Sequence, residues 1–99
     1  MNCNLIDVRK NDFINQETDE VVEGYISTFI APSADNKYPP NLIQFYTAKN
    51  DRRGFGREFD EILKGCERVT DVTGLGLYEL GYKFNKDKKL QKIAYLRKV

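Results

Sequence analysis

The sequence predicts a mainly β protein: a five-stranded barrel carrying one helix between its third and fourth strands. Three observations predict it. Short runs of period-two apolar alternation recur along the chain, and β-branched and aromatic residues fill them. Only one segment, near residue 60, changes to a helical period. Ninety-nine residues at 40% apolar content, with six Phe and six Tyr, suffice for one domain around one core and not for two.

Asn2 to Val8 reads as the first strand, and Phe13 and Ile14 resume its apolar pattern across a bulge or sharp bend. After a polar turn over Gln16 to Asp19, Val21 to Ile30 reads as a longer second strand. Its uncharged positions Val22, Gly24, Ile26, Thr28 and Ile30 are expected to face the core. The other face, with Val21, Glu23, Tyr25, Ser27 and Phe29, is expected to be the wetter one. All three prolines fall between residues 31 and 41, which marks a loop; its Tyr38 is expected to pack against Pro39. The third strand, Leu42 to Thr47, points Ile43, Phe45 and Thr47 inward and Gln44 and Tyr46 outward, so Tyr46 falls on the same type of face as Tyr25.

Phe59, Ile62, Leu63 and Cys66 recur at helical spacing and predict a helix from about Arg57 to Cys66. Glu58, Asp60 and Glu61 suit the positive end of its dipole, and Gly65 marks its end. Glu67 to Thr73 connects to a terminal hairpin over Gly74 to Val99. There Tyr78, Leu80, Tyr82 and Phe84 alternate, a polar tip follows at Asn85 to Lys89, and Ile93, Tyr95, Arg97 and Val99 alternate in the return strand.

Composition narrows the function. No apolar run is long enough for a membrane span or a signal peptide, so a cytoplasmic protein is expected. Cys3 and Cys66 lack metal-like spacing and are expected to be reduced and buried. The chain has no histidine, so Ser-His and Cys-His nucleophiles and imidazole metal ligands are excluded. The acids are scattered among lysines and arginines in the pattern of a solvated surface. A non-catalytic protein without cofactor or metal is expected. Net charge is only +1, but its distribution is uneven: residues 1–24 hold two basic and six acidic side chains, and residues 83–99 hold seven basic and one acidic. A phosphate backbone responds to such a local field.

Two groups of side chains fit nucleic acid. Arg52, Arg53 and Arg57 surround Phe55 in the loop NDRRGFGR, while Lys86, Lys88 and Lys89 crowd the tip of the terminal hairpin. Tyr25 and Tyr46, on the wetter face, are the candidate base-stacking rings, with Phe55 as a third, at about 1–3 kcal/mol per stacked base. A solvated hairpin tip and a protected sheet edge explain the lysines equally well. Arg53-Gly54-Phe55-Gly56 matches the start of the RNA-recognition signature, but Arg57 and Glu58 break the pattern.

Five strands with a helix between the third and fourth is the layout of the OB fold, a partly open Greek-key barrel. Gly76-Leu77-Tyr78-Glu79-Leu80, then Phe84, Leu90, Ile93 and Leu96-Arg97-Lys98-Val99, resemble the C-terminal hairpin of filamentous-phage gene V type single-stranded DNA-binding proteins, or of a related phage or mobile-element group. The resemblance covers about the last quarter of the chain in residues and the rest in layout. It implies an OB-type barrel that dimerises and coats single strands, DNA rather than RNA, during replication. On that reading the hairpin supplies barrel closure, dimer contact and positive potential. The main alternative is a small phage or plasmid interaction module whose tyrosines meet a protein partner.

Overall fold

The computed structural model describes residues 2–31 and 41–99; Tyr38 and the three prolines lie outside the described residues. Strand β1 (Asn2–Lys10) is central. One of its edges pairs with β4 (Gly24–Ala31), which pairs in turn with β5 (Asn41–Ala48). Its other edge is divided. Asn2 to Leu5 pair with β7 (Gly76–Tyr82), and Asp7 to Arg9 pair with the short β6 (Arg68–Thr70). Strand β8 (Ile93–Lys98) then pairs with β7, giving the antiparallel order β5-β4-β1-β7-β8. Strands β2 (Phe13–Ile14) and β3 (Val21–Val22) form a separate two-stranded ribbon.

A bulge explains how β1 serves two neighbours. The register with β4 slips between Leu5 and Asp7, leaving Ile6 as the extra residue. Leu5 and Val8 thereby both reach the core although three positions apart, and the strand bends where its partner changes from β7 to β6. A second slip, between Gly81 and Tyr82, interrupts the hairpin, so Ile93 and Leu96 share the inner face and Tyr95 and Arg97 lie outside.

The sheet is mainly β, antiparallel and not closed. Its ends, β5 and β8, approach through one isolated parallel bridge between Phe45 and Gln91. Helix α1 (Phe55–Leu63) lies against β1, β4, β5 and β6, placing Phe59 and Leu63 in the core. Among the described residues, no helix is long and apolar enough to cross a membrane.

Three expectations are corrected. The inner face of β4 is the one with Tyr25, Ser27 and Phe29, all at most 2% exposed. Phe29 packs edge-on against Phe45 and Tyr78, with ring centroids 5.6 and 6.0 Å apart. Glu23 made that face look wet, yet it lies between β3 and β4 and pairs with Lys49 outside the sheet. Ile26 and Thr28, on the opposite face, are also buried, so charge does not separate the two sides. The helix starts two residues earlier than predicted and stops at Leu63, because Lys64 and Gly65 both adopt left-handed backbone, at φ 50° and 86°. That reversal takes Cys66 off the apolar stripe: Cys66 is exposed, whereas Cys3 is buried as expected.

Gly56 lets the helix approach β5 closely. A Cβ there would stand 2.7 Å from the backbone oxygens of Ala48 and Lys49. Gly56→Ala is expected to cost about 1–3 kcal/mol, read as a lower urea midpoint at unchanged slope.

Candidate nucleic-acid interface

The loop from Lys83 to Lys92, between β7 and β8, is held by one buried amide. Gln91 is 5% exposed, and its Nε2 donates to the carbonyls of Asn85 (3.0 Å) and Lys88 (2.8 Å). Its Oε1 accepts from the Asn85 N–H at 2.7 Å. The Gln91 backbone is as fully engaged: its N–H donates to Gln44 O at 2.9 Å, and its carbonyl accepts from Tyr46 N–H at 3.0 Å. Asn85 caps the tip, its Oδ1 accepting from the Asp87 N–H at 3.0 Å, an Asx turn. The lysines are thus mounted on a fixed backbone.

This loop, β8 and Arg53 line a groove of about 860 Å³. Lys83, Lys86, Lys88 and Lys92 stand around it, with Asp87 as the one acid among the described lining residues, and Phe84, 70% exposed, lies among them. No described ion pair involves these lysines. The site therefore combines an exposed ring with a cluster of cations that take part in no described ion pair.

Arg53 joins the groove to the helix entry. Its Nε and Nη2 donate to the two carboxylate oxygens of Asp51 at 3.2 and 3.0 Å, and its Nη1 donates to Ala94 O at 3.1 Å. The guanidinium lies 4.7 Å from the Phe55 ring centroid and holds the Asp51 carboxyl below the usual range. Arg53 therefore ties the loop to β8, its charge largely matched by Asp51.

The other predicted residues divide. Lys86 and Lys88 line the groove, while Lys89 is exposed beside it. Arg52 and Arg57 are exposed but do not line it. Phe55 begins the helix and packs against the core, so it is no free stacking ring. Tyr46 is half-buried on the outer face of β5, its ring edge-on to Phe13 with centroids 5.2 Å apart and its hydroxyl against Gly24. Burial, with Asp12 nearby, raises its pKa.

Tyr25 is a correction. Directly opposite Thr47, it lies on the other face from Tyr46, which sits opposite Ile26. Its hydroxyl donates to Asp60 Oδ1 at 3.0 Å, and Tyr78 donates to Glu58 Oε1 at 3.2 Å. Both acids anchor α1 to the sheet; of the three expected at the positive end of the dipole, only Glu58 lies in the first turn, because the helix starts at Phe55. Burial, then the hydrogen bond to Asp60, pushes Tyr25 up to about 12; burial, then the Glu58 charge, pushes Tyr78 up to about 12.

Sequence reading missed Phe84, Lys83 and Gln91 as parts of one site. Phe84 continued the parity of Tyr78, Leu80 and Tyr82, but β7 stops at Tyr82 and the ring leaves the sheet. The available signal was an aromatic flanked by lysines at 83 and 86. Among the described residues, no three Cys, Asp or Glu side chains gather as metal ligands. No protein-family profile, curated protein or solved structure matches this chain.

Both core phenols hold their protons more tightly in the fold than in the unfolded chain, where they titrate near 10. Their contribution to stability is therefore complete below pH 10 and is lost as pH rises through about 12. Urea midpoints across that window are expected to fall less steeply in the double variant Tyr25→Phe/Tyr78→Phe. Gln91→Ala, which strands three loop backbone groups, is expected to cost about 1–3 kcal/mol and to speed hydrogen exchange at the Asn85 amide.

Proposed function

We propose that this protein binds single-stranded nucleic acid, DNA in preference to RNA, without catalysis and largely without regard to sequence. The observation that carries this reading is the basic groove around exposed Phe84. Lysines on a fixed loop neutralise successive phosphates, and a ring between them offers a stacking surface to any base. The main strands, counted without the short ribbon and β6, run third-second-first-fourth-fifth across the sheet. This order supports a partly open OB barrel, in which the loop between the fourth and fifth strands borders the oligonucleotide site. The groove is built by that loop. The resemblance of the terminal hairpin to gene V type proteins adds a biological setting: the coating of single strands in phage or mobile-element DNA replication.

The stacking role moves from Tyr25 to Phe84, with Tyr46 and Phe13 as a second aromatic pair on the outer face. Anisotropy of a labelled oligo-dT is expected to show binding that weakens with salt, by about 0.7 log units per log salt for each phosphate neutralised. Phe84→Ala is expected to cost about 1–3 kcal/mol of affinity, and Lys86→Glu/Lys88→Glu to lower both affinity and salt slope. Absence of binding at low salt overturns the reading in favour of an interaction module. A duplex bound as tightly as oligo-dT removes the stacking role.

A further inference from the structure

The ribbon β2–β3 is the electrostatic counterpart of the groove. Residues 11–23 hold five acids, Asp12, Glu17, Asp19, Glu20 and Glu23, and no lysine or arginine. Only Glu23 has a described ion pair, with Lys49 at 3.4 Å. The ribbon is shaped as firmly as the basic loop. Asn15 N–H donates to Glu20 O at 2.9 Å and Asp19 N–H to Asn15 O at 2.8 Å, while Asn15 Oδ1 accepts from Glu17 N–H at 2.9 Å. It also exposes apolar surface at Phe13 (44%), Ile14 (62%) and Val21 (64%). Lys49 N–H donates to Glu23 O at 3.0 Å, and Phe13 packs on Tyr46, so the ribbon is anchored to β5. Folding thus leaves four acids on one projection and four groove lysines on another, neither set paired with the other.

We propose that the acidic ribbon of one copy docks in the basic groove of a second copy. Glu17, Asp19 and Glu20 at its tip meet Lys83, Lys86, Lys88 and Lys92, and Ile14 and Val21 meet Phe84. Opposite fields steer the encounter and fix its orientation, and the apolar residues at the centre are shielded from water. The contact joins two different surfaces, so it closes by reciprocal exchange between two copies or continues head to tail. Because the ribbon occupies the groove proposed for nucleic acid, a bound strand displaces it; this consequence alone rests on the reading above. Self-association then reports an empty site, and strand binding releases it.

Sedimentation velocity tests the contact without nucleic acid. The wild type is expected to exceed monomer mass at about 0.01 M salt, where charges act over about 30 Å, and to become monomeric at about 1 M, where they act over about 3 Å. Glu17→Lys/Glu20→Lys and Lys86→Glu/Lys88→Glu are each expected to be monomeric at low salt. Their equimolar mixture is expected to associate again, since the reversed ribbon then faces a reversed groove. A monomeric wild type, a variant that associates unaided, or a mixture that stays monomeric overturns the inference. Oligo-dT is finally added to the wild type. Dispersal of the assembly supports the shared site. Charge-swapped association that oligo-dT neither binds nor disperses leaves the protein contact standing and removes the nucleic-acid reading.

Discussion

The arrangement of this protein depends on the hydrogen bonds of Gln91. With its backbone it bridges the two ends of the sheet, and with its side chain it satisfies three groups of a loop that has no ladder of its own. A buried primary amide suits both tasks, since it offers two donors and an acceptor in a fixed plane. Five lysines lie within the ten residues it organises, and their mutual repulsion would otherwise spread the loop. The stability of the seam and the shape of the basic groove are therefore the same set of contacts.

A second set of contacts fixes the helix. Phe59 and Leu63 bury its apolar stripe, and the tyrosines of β4 and β7 reach out of the core to Asp60 and Glu58. A buried hydroxyl needs a partner; Glu58 supplies one from the first turn of the helix, at the favourable end of its dipole, and Asp60 supplies the other from the second turn. The acidic turn is thereby held at the sheet, and the Arg53 guanidinium, bound to Asp51 and Ala94, connects the helix entry to β8.

Much of the layout was legible in the sequence because it rests on periodicity. The three early strands, the helix and the terminal hairpin all follow from apolar spacing. The faces of β5 were also legible, since one side is polar at Gln44 and the other apolar at Phe45. What failed were the places where a one-residue displacement changes parity. The bulge at Ile6 and the register slip between Gly81 and Tyr82 leave no compositional mark, and the Lys64–Gly65 reversal is readable only to within a few residues. Strand β4 failed for another reason: covered on both sides, it carries buried residues at every position from Gly24 to Phe29. The lysines of the candidate site were legible from charge alone. Its geometry was not, because it depends on a glutamine whose importance comes from partners far away in sequence, at Gln44 and Tyr46.

The divided edge of β1 has a consequence for how the molecule is made. Its partners are remote: Cys3 lies opposite Tyr78, and Val8 opposite Val69. Only β4 is close enough in the chain to pair with β1 early, so a β1-β4-β5 meander is the natural first unit. The central strand keeps one edge unsatisfied until the chain beyond residue 68 arrives. Loop closure over such separations is slow relative to hairpin formation. During synthesis, the strand destined for the middle of the sheet thus spends its early life as an edge.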